Sequence, residues 1–159
     1  MPYSTTTHRE ARYIKHLGPN PTPDNFSGLY DLILWHWFPV GSGFRVRYHD
    51  LAFIVHHGDI PDRNPLLVVK FNQPSCWTAA GRQTVLDELI VQTKGGFNCS
   101  QYDTIYGLAG IGQKWMVCKM KLGDNQPTTV LDWQDDIASD VSYISFETIV
   151  GLLSSMVSE

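Results

Sequence analysis

Apolar residues recur along this chain at two spacings, and the spacing changes from segment to segment. Phe26, Leu29, Tyr30, Ile33, Leu34 and Trp37 fall at offsets 0, 3, 4, 7, 8 and 11, which is the stripe of an amphipathic helix. Asp24 or Asn25 is placed to cap it, and Pro39 with the following Gly-Ser-Gly ends it. Upstream, residues 8–17 predict a short helix carrying Ala11, Ile14 and Leu17, stopped by the GPNPTP run at 18–23. Residues 44–57, FRVRYHDLAFIVHH, alternate and then turn almost wholly apolar, and PLLVVKF at 65–71 is a β-branched run. Both read as central strands. A helix follows over 78–93, with Val85, Leu86, Leu89 and Ile90 on one side, ahead of a Lys-Gly-Gly breaker. TIYGLAGIGQKWMVCKMKLG then predicts a hairpin joined near Gly110–Lys114, with one wetter face. A polar loop leads to a closing helix marked by Phe146, Ile149, Val150, Leu153, Met156 and Val157, with Ser145 as its cap and Glu147 in its first turn.

This order predicts an α/β fold: a three-layer sandwich with a central mixed sheet of about four to five strands flanked by helices. Residues 1–23 read as an appendage with a short helix, and 24–159 as a single domain. A chain of 159 residues with 43% hydrophobic content supports one core of that kind. The formal charge of −4 weighs against non-specific nucleic-acid binding, which draws its affinity from many Lys and Arg. Three dispersed cysteines, Cys76, Cys99 and Cys118, fit a reducing compartment, so an intracellular protein of the cytoplasm or nucleus is expected. The N-terminus has no apolar export segment, and no window reaches the roughly 18 apolar residues of a membrane span. Five tryptophans, with Trp35, Trp77 and Trp133 expected at surfaces, leave a protein partner or a homodimer open.

Polar residues interrupt the strand-like runs at three places: Asp50 before one, Lys70 and Asn72 within the next. Alternation puts Asp50 with Ala52, Ile54 and His56, and Lys70 with Val68 and Asn72. Pairing of the two strands would bring these groups together. The segments HDLAFIV, PLLVVKFN, GRQTVLDELI and YGLAGIGQKWMV, in this order and spacing, resemble the PD-(D/E)XK nuclease-like superfamily, as does the tail DWQDDIASDVSYISFETIVGLL. Its restriction-endonuclease-like members from fungi are the nearest in layout, and the resemblance covers roughly residues 26–157.

The resemblance implies a helix, a hairpin, two strands bearing an aspartate and a Glu-x-Lys, then a helix and a further strand. In an active member the two acids bind Mg²⁺ or Mn²⁺, which activates water against a phosphodiester, while the lysine stabilises developing charge. Carried across, the aspartate falls on Asp50, the glutamate on Lys70 and the lysine on Asn72. His49 stands where a proline is usual, and Gln83 matches a glutamine on the following helix. A lysine in place of the second acid repels the ion it should hold. The expectation is therefore an inactive relative with no bound metal, serving as a binding or regulatory module, with Lys70 pairing Asp50 where the metal would sit. The alternative is an active metal-dependent nuclease in which Asp50 holds the ion with a second acid supplied by Asp31, Asp87 or Glu88. A plainer account also stands: Lys70 lies near an edge with its head in water, and Asp50 caps a turn.

Other groupings are weaker. Pro61-Asp62 is a literal PD, but it falls in a loop without the matching acid. His56 and His57 point to opposite faces of a strand and read as exposed strand-end histidines, with Asp59 nearby. Asp132, Asp135, Asp136 and Asp140 lack the glycine and terminal glutamate of a calcium loop and read as a solvated acidic turn. GLAGIG at 107–112 precedes a strand, the wrong setting for a dinucleotide loop, so close backbone packing is expected. Arg45, Arg47, Lys70, Lys114, Lys119 and Lys121 form a basic strip if their strands lie side by side.

Overall fold

The computed structural model describes residues 3–17, 21–49, 51–58 and 63–158. Its elements run α1 (Thr5–Lys15), α2 (Pro23–Trp37), β1 (Phe44–His49), β2 (Ala52–His57), β3 (Pro65–Asn72), α3 (Ala79–Gly96), β4 (Thr104–Ile111), β5 (Lys114–Lys121), β6 (Thr128–Gln134) and α4 (Asp140–Ser158). The strands form one six-stranded mixed sheet in chain order. Neighbours are antiparallel except β3 and β4, which run parallel and are joined through α3.

The class is α/β as expected, but the sheet has six strands instead of four to five. The addition is β6, read from sequence as a polar loop. Thr128, Thr129 and Asp132 are exposed, as suits an edge strand, so its apolar signal is diluted. The run at 44–57 is two strands, and β1 is an edge rather than a central strand. His49 pairs with Ala52, and Leu51 between them adopts φ 60°, so the chain reverses there without a glycine.

Helix boundaries differ at their caps. Thr22, one residue before Pro23, caps α2, while Asn25 returns its Oδ1 to the Thr22 N–H at 2.7 Å. Thr78 caps α3 through the Gly81 N–H at 2.9 Å, and this helix continues through Lys94-Gly95-Gly96. Glycine is only mildly unfavourable within a helix, and here Gly96 lies against Ile105 and Pro65, where a side chain would not fit easily. The closing helix starts earlier than expected: the Ser142 N–H bonds Ser139 Oγ at 3.1 Å, which leaves Ser145 and Glu147 inside α4.

Alternation sorts the strand residues into two clusters. Phe53, Val55, Leu67, Val69, Phe71, Tyr106, Leu108, Trp115 and Val117 join Ala11 and Ile14 of α1, Phe26, Leu29, Tyr30, Ile33 and Leu34 of α2, and Phe146, Ile149 and Leu153 of α4. Val68, Ile105, Ala109, Ile111, Met116 and Cys118, from the intervening positions, join Val85 and Leu89 of α3. The segment expected to be an appendage thus contributes Tyr3, Ala11 and Ile14 to the larger core. Trp37 Nε1 donates to Tyr3 Oη at 2.9 Å, which ties the start of the described chain to α2.

The hairpin of β4 and β5 is buried on both sides over most of its length: Trp115 and Val117 are as hidden as Met116 and Cys118, so the wetter face begins only at Lys119. Its two-residue link is Gly112-Gln113, with Gly112 at φ 62°. α4, at 19 residues and mean hydropathy 1.3, is long and apolar enough to cross a membrane by length and composition alone. That corrects the reading that no such segment exists, and one side of this helix packs in the larger core.

Candidate functional site

Lys70 sits in the sheet where apolar side chains surround it. Its β2 neighbour is Ala52 and its β4 neighbour is Ala109, both fully buried. Two methyl-sized neighbours leave a lane in which the long lysine stem lies against the sheet, with its side chain only 11% exposed. The ammonium ends 3.6 Å from Glu88 Oε2 on α3. Glu88 is 44% exposed, so this pair is half in water and its strength is that of a partly screened contact.

Asn72, two residues on, is half-buried and occupied locally: its Oδ1 accepts the Gln73 N–H at 3.0 Å, and its carbonyl accepts the Gly112 N–H at 2.8 Å. Gln83 is not brought to Lys70. It is exposed on α3, where its Nε2 donates to Asp87 Oδ1 at 2.8 Å one turn along, away from the buried line of Val85, Leu89 and Thr93. Asp50 lies outside the described residues, as do Asp59, Pro61 and Asp62. Of the acids considered as a second ligand, Glu88 approaches Lys70, Asp87 is engaged by Gln83, and Asp31 accepts the Trp35 Nε1–H at 3.0 Å on α2.

Rows of paired residues extend this face toward the β1 edge. One runs His49, Ala52, Lys70, Ala109, Met116, and the next Arg47, Ile54, Val68, Gly107, Cys118. Glu88, Gln92 and Gly95/Gly96 follow each other along one side of α3 at helical spacing. Between that side and β1 lies a cleft of about 240 Å³, lined among others by Arg47, His49, His56 and Gln92. The expected exposure of the two histidines does not hold: His56 is 5% exposed, its Nδ1 3.2 Å from the Arg63 carbonyl oxygen, and His57 is half-buried against Phe44.

The basic strip does not assemble. Arg45, Arg47, Lys70 and Lys114 share one face, but Lys119 pairs with Tyr106 and Lys121 with Thr104, on the other. Lys114 lies two strands from Lys70 and engages Asp135 at 3.2 Å. A two-residue alternation decides this, and assigning the face required the strand register. Gly107 and Gly110 behave as expected for close packing: a β-carbon at Gly107 would sit 2.8 Å from Leu89 Cδ2, and one at Gly110 would strike the Tyr30 hydroxyl. Cys118 is buried, and burial pushes its thiol up to about 11, so it is not a nucleophile at neutral pH.

Comparison with known proteins finds no matching family model, no matching curated protein and no matching solved structure. Among the described residues no group of three or more His, Cys, Asp and Glu could hold a metal ion. Glu88, one of the acids expected as a second ligand, has a lysine ammonium 3.6 Å away. A divalent ion sharing that carboxylate would meet the ammonium at close range, so these two residues as placed do not fit Mg²⁺.

Proposed function

We propose that this chain is a catalytically silent member of the PD-(D/E)XK nuclease-like superfamily, a three-layer α/β/α domain acting as a binding or regulatory module. The observation that carries the reading is Lys70: a cation with an 11% exposed side chain stands where the resemblance implies the second metal-binding acid, and it is neutralised by Glu88 at 3.6 Å. A half-exposed ion pair takes the electrostatic role of a metal–carboxylate contact without supplying an activated water. The element order supports the reading in part: α2, a run of strands, α3 and β4 follow one another as the resemblance implies, although it implies a hairpin and two strands where β1, β2 and β3 stand. The placement of α3 residues in one core cluster and α2 and α4 residues in the other supports the three-layer arrangement. The binding surface in this reading is the cleft beside the ion pair, where exposed Arg47 and His49 line the open edge of the sheet.

The test restores the lost chemistry. A Lys70→Glu, Asn72→Lys double variant is expected to gain Mg²⁺ affinity by calorimetric titration, while the parent shows none; tight Mg²⁺ binding by the parent overturns the proposal.

One observation favours the second reading, an active nuclease with a relocated acid: Glu88 of α3 carries a carboxylate oxygen 3.6 Å from the Lys70 ammonium. Incubation with DNA and RNA in Mg²⁺ or Mn²⁺ separates the two. Cleavage abolished by both Asp50→Ala and Glu88→Gln establishes the active enzyme, and absence of cleavage by the parent supports the silent module.

A further inference from the structure

A second, larger cavity of about 370 Å³ lies at the far end of the sheet from the α3 C-terminus, past the carboxyl ends of β3 and β4. Ligands of open α/β sheets bind in this position, because the loops that follow parallel strands diverge there. The apolar walls come from four separate segments: Ile14 of α1, Phe26 of α2, Pro74 and Trp77 after β3, and Ile111 at the end of β4. The volume is that of a site for a small organic molecule, and the walls are mainly hydrocarbon and aromatic.

Two features say what kind of molecule fits. The charged residues at the rim cancel: Lys15 lies 3.5 Å from Asp136 and Lys114 lies 3.2 Å from Asp135, so the lining has no net charge with which to select an ion. The polar group that remains is Gln113, in the β4–β5 link. Its Nε2 donates to the Ala11 carbonyl at 3.2 Å and its own carbonyl accepts the Ile137 N–H at 2.8 Å, so the residue is held at both ends. Its side-chain Oε1, unlike its main-chain carbonyl, is buried and accepts no hydrogen bond from the described residues. An acceptor left unmade beside an apolar cavity is costly, and a ligand donor that satisfies it recovers that cost. Trp77 forms a firm aromatic wall: Arg82 and Lys114 lie over its ring at 4.6 and 4.9 Å, and Trp133 meets it edge-on.

We propose that this cavity is a binding site for an uncharged, planar aromatic or heteroaromatic molecule bearing one N–H donor, which Gln113 Oε1 accepts. The site is independent of the Lys70–Glu88 pair, and its success or failure leaves the proposed function of that face untouched.

The probes are indole and 1-methylindole, which differ chiefly in the donor. Titrated into the full chain and followed by NMR, indole is expected to shift the Gln113 side-chain amide, the Trp77 indole N–H and the Ile111 methyls together. 1-Methylindole is expected to bind about fivefold more weakly, the usual worth of one neutral hydrogen bond. Gln113→Met should remove the difference between the probes while keeping the apolar walls. The proposal is overturned if millimolar indole shifts none of these signals, if the shifts map elsewhere, or if both probes bind the parent equally, the result expected where solvent alone serves Gln113. The two-probe comparison on the unaltered chain decides the matter even where Gln113→Met fails to fold.

Discussion

On one face of the sheet a row reads Tyr48, Phe53, Val69, Leu108, Val117, and α1, α2 and α4 contribute to the core built on that face; on the other a row reads His49, Ala52, Lys70, Ala109, Met116, beneath α3. The first face is packed with large rings: Phe71 stacks on Tyr30 at 4.8 Å, and Trp115 lies 5.4 Å from Phe146. The second is built from smaller side chains and holds a lysine, a histidine and a cleft. Rings filling space leave no room for a charged group, whereas alanines beside Lys70 do. The contrast teaches that the thick side specifies the fold and the thin side is where polar residues can be carried.

Four tests probe this contrast, in falling order of effect. Trp115→Ala on the thick side removes a fully buried ring and strands the Ser142 hydroxyl that accepts its Nε1–H at 2.9 Å, so chemical denaturation should show a loss of about 3–5 kcal/mol. A loss below about 1 kcal/mol would mean the ring is not part of a close-packed core. Next, Gly110→Ala and Gly107→Ala compare the faces directly. The obstacle at Gly110 is Tyr30, buried, stacked on Phe71 and donating its hydroxyl to the Gly112 carbonyl at 3.2 Å; at Gly107 it is the flexible end of Leu89. Gly110→Ala should therefore cost more, about 2–3 kcal/mol, with Tyr30→Phe recovering part of it in a double-mutant cycle. Equal costs would erase the distinction between a rigid and a yielding side.

Alkaline pH tests the thin side through Cys118. Burial raises its folded pKa from the ordinary 9.0 to about 11, so between these values the unfolded chain has lost a proton that the folded chain keeps. Stability is thus fully present below about pH 9 and falls as pH rises toward the folded value, at up to about 1.4 kcal/mol per pH unit for this one group. Tyr3 and Tyr30, whose pKa values burial also raises, add to the fall above pH 10. Cys118→Ala should flatten the decline in urea-unfolding free energy between pH 9 and 10 but not abolish it further up; an unchanged slope there would place the thiol in contact with solvent. The smallest effect belongs to Glu88→Gln, about 0.5–1 kcal/mol and shrinking as salt is added, because its carboxylate is half in water. A loss several times larger would show that the pair is shielded and central to the α3 face.

The sequence already carried much of the thick side. The stripe of Phe26, Leu29, Tyr30, Ile33 and Leu34 and that of Phe146, Ile149 and Leu153 are the buried lines of α2 and α4, because a helix facing a core on one side must repeat its apolar residues with the helical period. It carried less at the edges. β6 escaped notice since an exposed edge strand need not alternate strongly, and the ends of α3 and α4 moved because glycine and serine do not by themselves dictate a boundary. For the candidate site, Lys70 and Glu88 were both named from sequence, and their approach came from the packing of α3 on β3. Gln83, chosen by resemblance, faces solvent, since five residues along a helix from Glu88 is a different side.

What the sequence by itself determined is the local grammar: which segments are helical and, β6 apart, which are extended, which helix residues face a core, and that a cation stands amid an apolar strand. Register and layer were decided only by the tertiary structure. One residue of alternation separates Lys114, on the face of Lys70, from Lys119 and Lys121 on the reverse, and the cavity at the sheet end is lined by residues as far apart in the chain as Ile14 and Asp136. Such contacts depend on the summed packing of the whole domain, and no short window of sequence contains that sum.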